Sequence, residues 1–207
     1  MAGSENRRSE EDLALIRRMM EEGRREVRDR GQHFMIWGLV GAAGCLVTWL
    51  IASGVLAVAP QWVWVSLLVV GWGASMLVGW REGRKVRVRT LGRRMLDVIW
   101  ISSAITLTLI GLAGLFGSLV PAAALSGLIA VTFGAPLAMT AWLTGESWLN
   151  GVAGGWWIGG AVMLFVPGSY HLLLLAAMAL VLMAGPGIVL RSRAGRPPVA
   201  PAATGGS

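Results

Sequence analysis

The sequence predicts an all-α membrane protein with six transmembrane helices arranged as three hairpins and preceded by a cytoplasmic amphipathic helix. Three observations predict this fold: few charges, three long charge-free stretches, and basic residues confined to the segments outside those stretches. Only 14% of the 207 residues are charged, against about 25% in a typical soluble domain. The charge-free stretches are 31–80, 98–145 and 147–190.

Each charge-free stretch is long enough for two membrane crossings. A bilayer core about 30 Å thick takes about 20 residues of helix, and the stretches contain 50, 48 and 44 residues. Turn-forming residues lie inside each one, among them Pro60, Pro121 and Pro167. Spanning strands are excluded because they alternate in polarity over about 9–11 residues. We therefore predict a transmembrane domain over 32–190, with helices at 32–53, 60–80, 96–119, 122–143, 147–166 and 170–190.

The basic residues predict the orientation of the chain. All 18 Lys and Arg residues lie before the first hairpin, between the first and second hairpins, or after the third. Cytoplasmic loops are enriched in these residues, so both termini are predicted to be cytoplasmic. Arginine is used almost to the exclusion of lysine, which is typical of a GC-rich bacterium, so the membrane is expected to be a bacterial inner membrane. The loop between the first two hairpins is expected to contact anionic lipid headgroups through Arg81, Arg84, Lys85, Arg87, Arg89, Arg93 and Arg94.

Two polar segments flank the transmembrane domain. In residues 1–31, the apolar side chains Leu13, Ile16 and Met20 recur at helical spacing, which predicts an amphipathic helix. That helix is expected to lie along the membrane or the inner face of the protein, or to dock a protein partner through residues 9–30. The segment 191–207 is rich in Pro, Ala and Gly and is predicted to be a disordered cytoplasmic tail.

Small residues and prolines mark positions of unusual helix packing. Small residues at four-residue spacing let two helix backbones approach closely, either within one subunit or in a homo-oligomer. Two such rows occur: Gly151, Gly155 and Gly159, and Gly71, Ser75 and Gly79. Pro136 and Pro186 lie inside predicted helices, where each removes a backbone hydrogen bond. Ordinary kinks and the broken helices of a transport site are both open readings of these prolines.

Few polar side chains accompany the predicted helices. His33, Asp97, Glu146 and Asn150 lie near predicted inner ends and form a candidate inner-side polar pocket, with solvation at the interface as the alternative. No catalytic constellation, Cys cluster or H-E-x-x-H motif occurs. The sequence therefore predicts no enzyme activity, no cofactor and no metal. The net charge of +7 lies beside the membrane and does not predict nucleic-acid binding.

Tryptophan is abundant, with 11 residues. Most lie near predicted helix ends, where an aromatic belt is expected: Trp37, Trp80, Trp100, Trp142 and Trp148 at inner ends, and Trp49, Trp62 and Trp64 at outer ends. The belt does not explain Trp72, Trp156 and Trp157, which fall at mid-depth. These three are expected to pack between helices or to line a cavity.

Short motifs resemble those of a loose group of small bacterial six-helix membrane proteins of unknown function. They are the charged leading segment Ile16-Arg17-Arg18-Met19-Met20, the helix entry Phe34-Met35-Ile36-Trp37-Gly38, and Pro186-Gly187 followed by basic residues. The resemblance covers most of the chain but implies no catalytic residue. By analogy with such groups, it implies a neighbouring regulator or transport component as partner.

Three functions remain open on the sequence alone. The first is a non-enzymatic accessory or sensing component that acts through its cytoplasmic helix and basic loop. The second is a small permease or channel for a neutral or weakly polar solute. The third is an enzyme acting on lipid at the inner interface, which would need Asp97 or Glu146 to face a cavity with Asn150 nearby.

Overall fold

A computed structural model describes residues 13, 31–83, 91–117, 120–166 and 168–194 of the chain. Within these ranges the secondary structure is helical, without strands. The helices are α1 (Gly31–Ala52), α2 (Pro60–Gly83), α3 (Leu91–Phe116), α4 (Ala122–Thr144), α5 (Trp148–Phe165), α6 (His171–Ala179), the π-helical segment (Leu180–Ala184) and α7 (Gly185–Ala194). The last three elements follow one another without a break, and we call them together the last helix.

Five of the helices are long and apolar enough to cross a membrane. They are α1, α2, α3, α4 and the last helix, so an all-α, multi-pass membrane protein is confirmed at this level. α5 has 18 residues, and its five glycines, three tryptophans and Asn150 lower its mean hydropathy below that of the other five.

The helix bounds differ most from the predicted ones in α3 and in the last helix. α3 begins at Leu91 rather than at 96, so it extends beyond the charge-free stretch and includes the exposed Arg94. Pro136 lies inside α4 without ending it. Pro186 lies just after the π-helical segment, and the helix continues through it. The predicted amphipathic helix, the tail beyond 194 and the loop residues 84–90 lie outside the described ranges.

The pairs α1–α2, α3–α4 and α4–α5 run antiparallel, as the contacts across them show. In α4 and α5, a Cβ at Gly127 would meet Leu164, and one at Gly160 would meet Val131. α1 also runs antiparallel to the last helix: Gly31 abuts Gly187 and Arg191, and Gly38 abuts Ala179 and Ala184. The connections after α1, α3 and α5 therefore lie at one end of the bundle, which we call the uncharged end because these connections carry no charged residue. The opposite end is the basic end.

The helices surround a central space. α1 packs against α2 and the last helix, and α4 packs against α3, α5 and α6. The sparsest contact between consecutive helices is that between α2 and α3. Because α5 packs mainly on α4, it sits outside this ring. Buried apolar side chains form a cluster, most of which lies where α4, α5 and the last helix meet.

Gly160 in α5 provides a test of the close α4–α5 contact. We expect Gly160→Ala to destabilise the protein by about 1–3 kcal/mol, as overpacking does, because its Cβ would lie 2.9 Å from the backbone nitrogen of Val131. Gly154→Ala on the same helix is the matched control, since a Cβ there meets nothing within 4 Å. Thermal unfolding in mild detergent measures both, and equal midpoints would contradict the described interface.

Candidate functional site, an apolar cavity

A cavity of about 690 Å³ lies between the helices, within the range of about 300–1,000 Å³ typical of small-molecule sites. Its wall comes from one face each of α1 and α3, from the parts of α2, α4 and α6 nearest the uncharged end, and from single residues of α5 and the π-helical segment. The aromatic, polar and central apolar residues of the wall include Trp37, Thr48, Gln61, Trp64, Leu68, Trp100, Ser103, Ala104, Leu107, Thr108, Gly111, Phe133, Trp156, Ser169 and His171.

The cavity is deep and opens at the uncharged end. Its lining on α3 runs from Trp100 to Leu115, which is about 22 Å at 1.5 Å per residue. The mouth includes the exposed residues Ser53 and Ser169. At the other extreme, the wall reaches Trp37 on α1, 15 residues from the end of that helix at Ala52. The cavity therefore passes the midpoint of the helical bundle.

Aromatic rings form the floor of the cavity. Phe133 stacks on Trp156 with ring centroids 4.7 Å apart. Trp100 makes an edge contact with Phe34, also at 4.7 Å, and donates from Nε1 to the Thr140 hydroxyl at 3.1 Å. Because the indole N–H of Trp100 is directed away from the cavity, its ring presents an apolar surface to any occupant.

Trp156 joins α5 to the last helix at the level of the floor. Its side chain is 1% exposed, and its Nε1 donates to the backbone carbonyl of Leu182 at 3.2 Å. In a regular α-helix that carbonyl would accept from the amide of residue 186, but Pro186 has no N–H. The indole thus supplies a donor from a neighbouring helix to a carbonyl whose α-helical donor is missing. The π-helical segment contains Leu182.

Several polar atoms in the wall are satisfied within the protein. Thr48 Oγ1 donates to the Gly44 carbonyl at 2.7 Å and accepts from Trp64 Nε1 at 2.9 Å. Ser103 Oγ donates to the Ile99 carbonyl at 2.7 Å. His171 Nε2 lies 2.9 Å from the Val166 carbonyl, so that nitrogen carries the proton and donates. Because these groups already have partners, they offer few free hydrogen-bonding atoms to an occupant, and the wall favours an apolar or weakly polar one.

The Thr48–Trp64 hydrogen bond ties α1 to α2 on the cavity wall. We expect Thr48→Val, which keeps the shape and removes the hydroxyl, to lower stability by about 0.6 kcal/mol and at most about 1.7, the range for such bonds in membranes. Thr48→Val combined with Trp64→Phe should cost less than the sum of the single changes. A double-mutant cycle by thermal unfolding measures this coupling, and strict additivity would mean that no bond is formed.

The predicted inner-side polar residues do not line this cavity. His33 and Asp97 are partly exposed near the basic end, and each has an interaction partner in the protein. Glu146 is 9% exposed, and its Oε2 accepts from Trp148 Nε1 at 3.0 Å. Asn150 is exposed. The described cavity wall thus brings none of these four together.

The two rows of small residues have different surroundings along their lengths. In α5, Gly155 faces Leu182 and Gly159 faces Met178, both in the last helix, while a Cβ at Gly151 would meet nothing within 4 Å. In α2, Gly71 faces the ring of Trp37, whereas the position of Gly79 is open. The Ser75 hydroxyl is buried without a hydrogen-bond partner. Both rows therefore have packing partners within one subunit at some of their positions.

The loop arginines are only partly described. Arg81 and Arg94 are exposed at the basic end. The structure describes no side chain for Arg93, and Arg84, Lys85, Arg87 and Arg89 lie outside the described ranges. The contact of the seven loop residues with lipid headgroups stays a prediction.

The tryptophans divide into two environments. Trp62, Trp80 and Trp142 are exposed by 64%, 58% and 88%, as side chains of an aromatic belt are. Trp37 and Trp100, which the sequence places in the same belt, line the cavity instead, as do Trp49 and Trp64. The position of a tryptophan along its helix does not predict whether it lines the cavity or faces lipid, because both kinds of position can carry apolar side chains.

Comparisons with protein-family models, with curated proteins and with solved structures give no match for this chain. Within the described ranges, no group of three or more His, Cys, Asp or Glu side chains could hold a metal ion. The cavity is therefore the feature from which a function can be inferred.

Proposed function

We propose that this protein is a multi-pass membrane protein that binds a neutral, apolar or weakly polar molecule in its central cavity. One observation carries the proposal: a deep cavity of about 690 Å³ opens at the uncharged end and has an aromatic floor. The three charge-free stretches of the sequence leave its transmembrane wall without acidic or basic side chains other than His171. A charged solute would lose its hydration there without gaining a partner, at a cost of several kcal/mol.

The topology that goes with this proposal has six spanning helices, with α5 as the sixth. α5 is antiparallel to α4 and to the last helix, which supports a spanning orientation. The basic end is then cytoplasmic, and the cavity opens on the opposite side of a bacterial inner membrane. Reporter fusions after residue 88 and at the carboxyl terminus test this topology. Both fusions should report a cytoplasmic location, and locations on opposite sides of the membrane would exclude three hairpins.

The cavity favours a binding protein or one state of a permease over an open channel. No residue of its wall lies nearer the basic end than Trp37, Trp100 and Met183. The contacts of Phe34 with Trp100 and of Trp37 with Trp72 lie at this level. A permease with this cavity would have to open these contacts to release its solute to the other side.

Quenching by tribromoethanol, a small neutral probe, tests binding in the cavity. Because several tryptophans line the wall, an occupant carrying bromine should quench their fluorescence with a saturable component. Gly111→Phe should weaken that component, since a Cβ at Gly111 on the cavity wall meets nothing within 4 Å and the ring would fill the cavity. Gly73→Phe on exposed α2 surface is the control, because its Cβ position is also open. Unsaturable quenching that is equal in all three proteins would refute the proposal.

The accessory or sensing role stays a proposal that rests on residues 9–30 of the sequence. Purification in mild detergent with and without residues 1–30 tests it, and identical partner sets would count against it. The proposal of a lipid-modifying enzyme needs Asp97 or Glu146 on a cavity wall beside Asn150. The described cavity offers no support for that arrangement.

A further inference from the structure

On one side the cavity is bounded by α2 and α3. α2 contributes Trp64 and Leu68 to the wall, and α3 contributes Leu107, Thr108 and Gly111. Leu68 and Thr108 each lie eight residues from their helix ends at the uncharged end, Pro60 and Phe116, so they share a depth. Between α2 and α3 the contact is the sparsest of any consecutive helices. The wall is therefore thinnest on this side.

Both of these helices pack little against the other described helices, so in a membrane their outer faces would contact lipid. The most apolar 18-residue window of α3 contains no buried residue, and that of α2 is 6% buried. On α3 the exposed side chains Ile101, Ile105 and Leu109 form one face, and Ala104, Leu107 and Thr108 form the adjoining cavity face. The edge of α3 therefore separates the outer face of this helix from the cavity.

The cavity is longer than one leaflet of the bilayer is thick, so a lipid chain fits along its length. One leaflet of the hydrocarbon core is about 15 Å thick, half of about 30 Å, and the cavity lining extends about 22 Å along α3. It opens at the uncharged end, where a lipid of that leaflet has its polar head. The deep lining is mostly apolar, with the exceptions of Ser103 and Thr108, whereas the polar side chains of Gln61 and Ser169 lie at the mouth. This distribution matches one acyl chain with its polar head at the surface.

From this geometry we infer that the occupant of the cavity is an acyl chain of a bilayer lipid, which enters from the leaflet at the uncharged end between α2 and α3. The inference rests on the proposed function and names its ligand class. The chain is the recognised part, because the described residues of the mouth include no Lys or Arg that would bind a phosphate. His171, the ionisable group at the mouth, already donates from Nε2 to the Val166 carbonyl.

Photo-crosslinking in vesicles tests the inference on the wild-type protein. The probe is phosphatidylcholine with a diazirine in the middle of one acyl chain, in vesicles of phosphatidylcholine and phosphatidylglycerol, followed by peptide mapping. Ordinary contact with the bilayer predicts adducts on Ile105 and Leu109. A chain in the cavity predicts additional adducts on Ala104, Leu107 and Thr108, at the same depth on the same helix. Adducts confined to the bilayer face would overturn the inference.

Two further measurements separate the lipid from other occupants. Gly111→Phe should reduce the cavity-face adducts and leave the bilayer-face adducts unchanged. A phosphatidylglycerol version of the probe should label the cavity face equally, whereas stronger labelling by it would overturn recognition through the chain alone. A charged, water-soluble thiol reagent is used in a Cys45→Ala background. Thr106→Cys should resist it, because Thr106 is exposed on the bilayer-facing side of α3. Thr108→Cys, on the cavity face, should resist it equally because a lipid chain fills the cavity.

Failure of this inference and failure of the proposed function give different results. Rapid labelling of Thr108→Cys but not of Thr106→Cys would show a water-filled cavity. Saturable quenching by tribromoethanol without cavity-face lipid adducts would also overturn the lipid inference, and in both cases a cavity for small solutes would stand. Loss of saturable quenching together with absent adducts would remove both proposals.

Discussion

Trp156→Ala is expected to destabilise the protein by about 3–5 kcal/mol, the range for other buried Trp to Ala changes and the largest loss that we predict for a single substitution. The side chain is 1% exposed, so its removal leaves a void between α4, α5 and the last helix. The substitution also removes the stack on Phe133 and leaves the Leu182 carbonyl without its indole donor. Thermal unfolding in mild detergent, followed by circular dichroism, measures the loss.

Trp157→Ala is the matched control for this prediction. Trp157 is the next residue on α5 and is 43% exposed, so its truncation should cost much less. Trp156→Phe keeps an aromatic ring but removes both the indole N–H and part of the side-chain volume, so its loss combines hydrogen bonding with packing. A second substitution on the last helix isolates the hydrogen-bond part. The loss for Trp156→Phe should shrink in a Pro186→Ala background, where residue 186 again has an N–H. A similar loss for Trp156→Ala and Trp157→Ala would contradict the described position of Trp156.

Gly38→Leu is expected to have the second largest effect, because α1 and the last helix touch backbone to backbone at this point. A Cβ at Gly38 would lie 2.6 Å from the Ala184 nitrogen and 2.8 Å from the Ala179 carbonyl oxygen. Backbone atoms cannot rotate away as a flexible side chain can, so the two helices must separate. We expect a loss of at least 1–3 kcal/mol, the range for overpacking, and a lower yield of folded protein.

The control for Gly38 is Gly73→Leu, which places the same side chain on the exposed surface of α2, where a Cβ meets nothing within 4 Å. Gly38→Ala is the graded version, and it should already show most of the loss because the clash begins at the Cβ. Unfolding midpoints in detergent and the monodisperse fraction on gel filtration measure both. A Gly38→Leu protein as stable as Gly73→Leu would exclude the described contact between α1 and the last helix.

The helical spans follow from the sequence because charge is costly in hydrocarbon. The absence of ionised side chains from 31–80, 98–145 and 147–190 is enough to predict where helices run, and five apolar helices of spanning length lie there. The bounds are less predictable, as α3 shows by starting at Leu91. A proline at 186 likewise predicts an irregularity but not its form, which is a π-helical segment on its amino-terminal side.

The cavity could not be predicted, because apolar periodicity loses its meaning in a bilayer. Lipid is as apolar as a packed core, so the cavity-facing and lipid-facing positions of a helix carry similar side chains. Ser102 and Ser103 illustrate this: they are adjacent and identical, yet Ser103 lines the cavity and Ser102 is exposed. The mid-depth position of Trp156 in the sequence predicts that it packs between helices or lines a cavity. Trp37 and Trp100 lie near predicted helix ends, so the sequence does not distinguish them from tryptophans of the aromatic belt.

The contact of Gly31 with Gly187 and Arg191 has a consequence for how the chain can be cut and rejoined. Since a Cβ at Gly31 would lie 3.1 Å from the Arg191 nitrogen, the first residue of α1 and the end of the last helix are neighbours. Their proximity makes the protein suited to circular permutation, which succeeds where the original ends are close. A short linker replacing the segments before 31 and after 194, with new ends opened between Gly83 and Leu91, would leave every described helix intact.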